Sequence, residues 1–347
     1  MQYYAAPISE NDFSDIDSPP ILEYSNMING GNTNKPVVGD VAVIVGGHTV
    51  HSDMGDGSPI KSTQMTLVST GASSQLSGEL NTVRSFFDST SNSTLDQAVH
   101  TGGVVGGWSE VTEYRTFESP PNPIEQTVVS TGGTTTRVGN MALASLAHTS
   151  TSNGERDTQI VTCGISMTGA YVALMQRSTI STCTDAVESG DGSQGILSDH
   201  GGSTSSGKSD IALHVHQQVI ATSVISTGAS MVIVEHTPYS LFSNCGASNG
   251  VGDVGIMIGG LSNDVAKYAV ERYTISTGSF VGGTGSLIKK VLFGGATSNG
   301  IDDVAIISGG LADDGSIQQK IISTNDDAIV TGTLVSHATG IAATCNS

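Results

Sequence analysis

Six aspartates hold one place in a recurring pattern, and they are the first residues whose type and spacing could do chemistry. Asp40, Asp96, Asp157, Asp210, Asp253 and Asp303 each open a short β-forming run, as in Asp40-Val-Ala-Val-Ile-Val-Gly-Gly47. A carboxylate in a cleft could serve as a general acid or base. Catalysis normally breaks repeat symmetry at one site, whereas these six recur in every unit. Recurrence favours side chains that bond turn amides.

Histidines are the second candidates. His100 and His214 both stand four residues after a repeated Asp, and His214-Val-His216 places two imidazoles on one strand face. Inner strands could aim such groups at a central channel, where two or three would gather a metal. The competing reading, hydrogen-bonded His in place of buried apolar residues, is preferred, and no metal or cofactor is expected. Asp53-Met-Gly-Asp-Gly57, Glu188-Ser-Gly-Asp-Gly192 and Asp313-Asp-Gly315 set oxygen ligands beside turn glycines. None has the ligand spacing of a dedicated Ca²⁺ loop, so they read as solvated turns. No Gly-x-Ser-x-Gly elbow, no phosphate loop with Gly-Lys-Ser/Thr, no His-Glu-x-x-His and no sialidase-type acidic box is expected. Neither hydrolase nor nucleotide-dependent chemistry is expected, and the chain reads as a non-enzyme.

The elements that would position these residues form a repeat. After each Asp run comes a second β run closed by Ser-Thr and usually Gly, with the Ser at 69, 130, 181, 226, 276 and 323. A Ser-Asn pair follows in most units, at Ser91-Asn92, Ser152-Asn153, Ser248-Asn249 and Ser298-Asn299. A period near 50 residues with about four short β segments predicts a propeller blade, and six repeats predict six blades. Blades bury their alternating apolar residues against one another around an axis. The glycine pairs Gly46-Gly47, Gly102-Gly103, Gly259-Gly260 and Gly309-Gly310 are expected to be structural, at a sharp turn near the axis where backbones approach closely. The Gly of each Ser-Thr-Gly corner is expected at positive φ.

These units resemble the kelch repeat. They are closer still to kelch-like propellers in structural proteins of tailed, especially marine, bacteriophages, whose blades read as a Gly-Gly strand, a Tyr-x-Thr-Ile-x-(Ser/Thr)-Thr-Gly strand and a Ser/Asn-rich closing strand. Glu271-Arg-Tyr-Thr-Ile-Ser-Thr-Gly278 carries that pattern, with Ile258-Gly-Gly260 before it and Val291-Leu-Phe-Gly-Gly-Ala-Thr-Ser-Asn-Gly300 after it. Unit four departs, having His216-Gln217 in place of the glycine pair, and Trp108 is the chain's single tryptophan. The expected fold is all-β, a six-bladed kelch-like β-propeller over residues 32–347 with an extended N-terminal arm over 1–31. The C-terminal segment from Thr333 is expected to close the ring by completing blade one, with Ile21 to Ile28 as the alternative donor.

Charge and cysteine usage bound the partners. Thirteen basic against 32 acidic residues give a net charge of −19, which leaves no basic footprint for nucleic acid. No apolar stretch is long enough for membrane insertion, and the N-terminus lacks the basic and apolar regions of a signal peptide. Four cysteines make no disulfide framework in a chain this long; Cys163 and Cys183 could pair, although reduced, packed thiols fit better. Synthesis in a host cytoplasm follows. In the arm, Tyr3, Tyr4, Phe13 and Tyr24 are candidate anchors on other virion proteins. The resemblance implies a virion structural protein in multiple copies, associated with a tail or fibre, acting in assembly or in recognition of a host-surface glycan or protein. A capsid decoration protein and a polysaccharide-binding or polysaccharide-degrading propeller enzyme are the alternatives.

Overall fold

The computed structural model describes residues 40–49, 60–92, 95–103, 123–153, 157–162, 164–166, 170–172, 174–191, 201–206, 209–229, 232–241, 244–250, 252–262, 265–266, 268–310, 315–324, 326–336 and 338–345. Tyr3, Tyr4, Phe13 and Tyr24, like the expected boundary at residue 31, lie outside these.

Short β-branched runs broken by Gly, Asn and Ser cannot build long elements, and the described residues contain strands and turns but no helix. Apart from two two-stranded ribbons, His48–Thr49 with Ala338–Thr339 and Leu261–Ser262 with Val265–Ala266, the described strands form six antiparallel sheets, the blades of a β-propeller. Blade 2 is typical: Asp88–Asn92, Gln97–Thr101, Pro123–Val128 and Thr136–Asn140, in that order from first to fourth. Blade 3 runs Thr149–Ser152, Thr158–Thr162, Leu174–Thr179, Val187–Asp191. Blade 5 uses Cys245–Ser248, Val254–Ile258, Ala269–Thr274 and Ser279–Ser286, and blade 6 uses Gly295–Ser298, Val304–Ser308, Ser316–Ile321 and Ile329–Thr333.

The first strands adjoin one another from blade to blade and back to the start, so they line the axis. The strand nearest the axis is therefore the Ser/Thr/Asn strand, and each glycine-pair strand is second from the axis. The glycine pairs were expected at a sharp turn near the axis, and their strands stand one place out from it. The physical reason is crowding: six strands converging on an axis leave room for Ser, Thr, Gly and Ala, while bulkier Val and Ile belong between blades.

Blade 1 closes the ring. Its first strand is Ala342–Cys345 from the chain's C-terminal segment, paired with Val41–Val45, followed by Ser62–Leu67 and Gln75–Glu79. The C-terminal donor is thus the one observed. Blade 4 departs in the way its missing glycine pair foretells. It comprises Gly202–Ser205, the long strand Ile211–Val224, and Val232–Leu241. A straight strand would hold Asp210 and Ser226 roughly 50 Å apart, yet the Ser226 amide donates to Asp210 at 3.0 Å. The long strand therefore doubles back, with Gln217 at φ 52, and its two halves stand in for the second and third strands. A turn this tight needs no glycine pair to launch a loop.

Alternation along each second strand feeds the cores between blades. In blade 1, Ala42 and Ile44 pack with Ile306 and Ile317 of blade 6, while Val43 and Val45 pack with Ala98 and Val129 of blade 2. Comparable clusters fill the other four interfaces. Burial on both faces explains why these strands read as unbroken apolar runs. Every pairing of third with fourth strand carries a bulge, as between Thr63 and Gln64 or Ile317 and Gln318. A bulge twists the exposed edge and blunts open-ended strand addition there.

Candidate functional site

The six repeated aspartates are structural. In every blade one carboxylate oxygen accepts the amide of the corner Ser at 2.7–3.1 Å and the other accepts its hydroxyl, pairing Asp40 with Ser69, Asp96 with Ser130, Asp157 with Ser181, Asp210 with Ser226, Asp253 with Ser276 and Asp303 with Ser323. Four of them also sit near φ 56, a left-handed conformation that Asp tolerates better than most residues. The Asn that ends a first strand then reaches across to the next blade's Asp: Asn153 to Asp210 at 2.8 Å, Asn249 to Asp303 at 3.1 Å, Asn299 to Asp40 at 3.2 Å, and Asn92 to Asp157. The three sequence elements of the repeat thus converge on one hydrogen-bonded clasp.

All eight glycines of the expected pairs have positive φ. Gly259 shows why glycine is required: a Cβ there would lie 2.4 Å from the Val291 carbonyl oxygen. The second glycine of each pair donates its amide to the chain entering the neighbouring blade, Gly47 to Arg84, Gly103 to Ser145, Gly260 to Val291 and Gly310 to Ala338. The corner glycines Gly71, Gly132, Gly228 and Gly278 are left-handed as expected, and Cys183 takes the same conformation at φ 45. Cys183 is a free thiol, which removes the disulfide reading; burial pushes its pKa up to about 12. Cys163 lies outside the described residues.

His100 and His214, the two repeat-position histidines, are buried and hydrogen-bonded, while His148 is buried at the edge of the axial cavity described below. His100 Nδ1 pairs with Ser89 Oγ at 2.7 Å, His148 Nε2 with Thr101 Oγ1 at 3.1 Å and His214 Nε2 with Ser223 Oγ at 2.9 Å. Burial pushes the pKa of His100 and His214 down to about 3 and that of His148 to about 4, so they are neutral near pH 7. Among the described residues no three His, Cys, Asp or Glu side chains gather as a metal site. Of the acidic turns, Asp53 to Gly57 and Asp313 lie outside the described residues. Glu188 and Asp191 belong to the fourth strand of blade 3 rather than to a loop.

Two patterns do occur contrary to the sequence expectation. Gly246-Ala-Ser-Asn-Gly250 has the letters of Gly-x-Ser-x-Gly, but Ser248 ends the first strand of blade 5 and another strand follows, where a nucleophile elbow needs a helix. Gly202-Ser-Thr-Ser-Ser-Gly-Lys208-Ser209 has phosphate-loop spacing. Gly202–Ser205 is itself the first strand of blade 4, and the next strand begins at Ile211. A phosphate loop instead needs a glycine-rich turn between a strand and a helix, so the match is one of letters only.

Symmetry breaks at two places that the repeated Asp and glycine-pair positions do not flag. The first is a buried ion pair in blade 2. Blades 1, 3 and 6 carry Gln64, Gln176 and Gln318 in the third strand, each hydrogen-bonded to the loop that enters its own blade. Blade 5 has Glu271 there, buried and accepting from the Tyr273 hydroxyl, and blade 2 has Glu125, which accepts from the Asn81 and Thr82 amides at 2.9 Å and pairs with Arg84. Both side chains are almost fully buried, and the Arg84 guanidinium also donates to the carbonyls of Gly102 and Pro123. Although burial works against its charge, Arg84 and the Thr135 and Thr82 bonds hold the Glu125 carboxyl below its ordinary value.

The second break lies at the axial mouth, a cavity of about 100 Å³ to which all six first strands contribute. Its collar is a set of left-handed corners, Phe86, Ala147, Phe293 and Gly340 at φ 54–64. Their backbones bond around the axis, with Gly340 donating to Phe293, Phe86 to Gly340 and Ala147 to Phe86. Farther along the same strands lies a ring of hydroxyls: Ser91 donates to Cys345, Ser152 to Ser91, Ser205 to Ser152, Ser248 to Ser205 and Ser298 to Ser248, always to the backbone carbonyl. Where the other first strands begin with Ala342, Thr149, Gly202, Cys245 or Gly295, blade 2 begins with Asp88. Asp88 accepts the amides of Ser89 at 2.8 Å and Ser150 at 2.5 Å. Loss of water around its carboxyl outweighs those bonds and raises its pKa to about 7. The residue-by-residue register of the first strand was the signal that could have found it.

Models of known protein families do not match the chain, and neither do curated proteins.

Proposed function

We propose that the protein is a non-enzymatic structural module of a tailed-phage particle, present in multiple copies and serving assembly or host-surface recognition. The sequence resemblance of units five and six to kelch-like phage propellers supports this reading. The observation that carries it is the rim. Each blade's fourth strand presents aliphatic side chains to solvent, among them Leu76 at 59% exposure, Val138, Val187, Val232 at 60%, Val281 and Ile329 at 58%. Repeated apolar contacts on bulged edges suit side-chain packing between neighbours while discouraging runaway strand pairing. With the repeated carboxylates committed to clasps, the reading assigns the exposed Ser, Thr and aliphatic surface to contacts rather than to turnover. Other virion proteins would be engaged through residues 1–31.

Imaging labelled particles tests the reading. Density at the tail or fibre is expected, regular density over the head would select capsid decoration instead, and absence from purified particles would refute the virion role. Deleting residues 1–31 should give a folded propeller that no longer joins particles.

A further inference from the structure

The axial mouth brings together a carboxylate and a buried amide. Asp88 is only partly exposed, keeps lone pairs beyond its two amide bonds and, among the described residues, has no ion-pair partner. Blade 5, opposite blade 2 in the ring, contributes Asn244 to the same cavity. Asn244 is 6% exposed, and neither its Oδ1 nor its Nδ2 has a hydrogen-bond partner. A buried amide without partners costs roughly 1–3 kcal/mol, and a desolvated carboxylate without a counter-charge is also unfavourable. Two such uncompensated groups in one cavity form a polar pair that a cation carrying a hydrogen-bonding neighbour would satisfy.

The walls narrow its chemistry. Phe86 and Phe293 stand edge to face at the mouth with centroids 5.2 Å apart, and Ile341 and Ala342 add aliphatic surface to a lining that also includes Ser89, His148 and Ser150. Aromatic and aliphatic groups at the mouth suit the carbon stem of an organic cation, while Ser89, Ser150 and Ser203 in the same lining suit its polar substituents. The neighbouring Cys245 thiol, its pKa pushed up to about 12 by burial and by Asp88, stays neutral and adds no second charge.

We propose that the axial mouth binds a primary ammonium group on a short carbon chain, the charge held by the Asp88 carboxylate and an adjacent hydroxyl or carbonyl held by the Asn244 amide. This inference does not depend on the virion reading. Two sources share that chemistry, a small amine such as an amino alcohol or amino sugar, and a lysine side chain of a partner protein.

Saturation-transfer NMR and calorimetric titration with ethanolamine, glucosamine and an N-acetyl-lysine amide test it, with ethylene glycol, glucose, CaCl₂ and MgCl₂ as comparators. The amines should bind and the uncharged analogues should not; whichever amine binds tighter identifies the source. Asp88→Asn should weaken binding by about tenfold or more. Asn244→Ala should weaken it several-fold while leaving thermal stability equal or higher, because it removes an uncompensated amide; a purely structural Asn would lose stability instead. Binding of the divalent ions alone, no amine binding up to about 100 mM, or unchanged affinity in a folded Asp88→Asn variant would overturn the proposal.

Discussion

Exchanging the buried ion pair of blade 2 for the uncharged arrangement of blade 6 tests how these blades hold their entry loops. Glu125 and Arg84 occupy the positions of Gln318 and Val291, with Glu125 gripping the loop as Gln318 does. Replacing Glu125 by Gln alone leaves the Arg84 guanidinium buried with its charge uncompensated, a loss of about 3–5 kcal/mol. The unit spanning Val38–Ser347 should have an unfolding entropy near 0.65 kcal/mol/K, so the melting temperature should drop by about 5–8 °C. Arg84→Val alone should cost a similar amount. The double variant, Arg84→Val with Glu125→Gln, recreates the blade 6 pair, and most of the loss should return, leaving the His100, Gly102 and Pro123 carbonyls without the Arg84 donor. Calorimetric and urea unfolding of all four proteins closes the cycle. Strictly additive losses, with the double variant the least stable, would refute the argument that the pair is one unit standing in for a glutamine.

Three further outcomes are expected. Gly259→Ala should destabilise by roughly 2–4 kcal/mol, because φ +69 and the Val291 carbonyl both oppose a Cβ. Gly283→Ala, whose nearest neighbour would be 3.9 Å away, should stay within about 0.5 kcal/mol; equal effects in urea titrations would contradict this. His100, His148 and His214 have folded pKa values depressed to about 3–4 from 6.5, so the unfolded chain binds their protons first. Their contribution is complete above pH 6.5 and is lost as pH falls towards 3–4, and a His214→Gln variant should show a shallower decline in urea midpoint across that range; an identical slope would count against it. Removing residues 342–347 takes the first strand from blade 1 and uncovers the edge of Val41–Val45. Small-angle scattering should then show an expanded particle with lost cooperativity, whereas an unchanged profile would mean that the ring does not depend on this strand.

Much of the architecture was legible because each blade repeats the same local solutions. Asp40 and its five counterparts, the glycine pairs and the Ser-Thr-Gly corners depend on backbone conformation and on hydrogen bonds within one unit, and such requirements leave fixed letters at fixed spacing. The C-terminal donor was readable for the same reason, since Cys345-Asn346 continues a first-strand pattern. Asp88 and Asn244 were not legible as partners: they are 156 positions apart, and only ring closure sets blade 2 opposite blade 5. The neutrality of His100 and His214 likewise comes from neighbouring blades that strip away water.

The sequence by itself determined the repeat, the all-β class, the number of blades and the structural duty of its repeated carboxylates, because each of these is a short-range constraint paid once per unit. Only the tertiary structure decided which strand lines the axis, how blade 4 dispenses with its glycines and where charge lacks a partner. Those follow from crowding around the axis and from desolvation between blades, which depend on residues brought together from all six units.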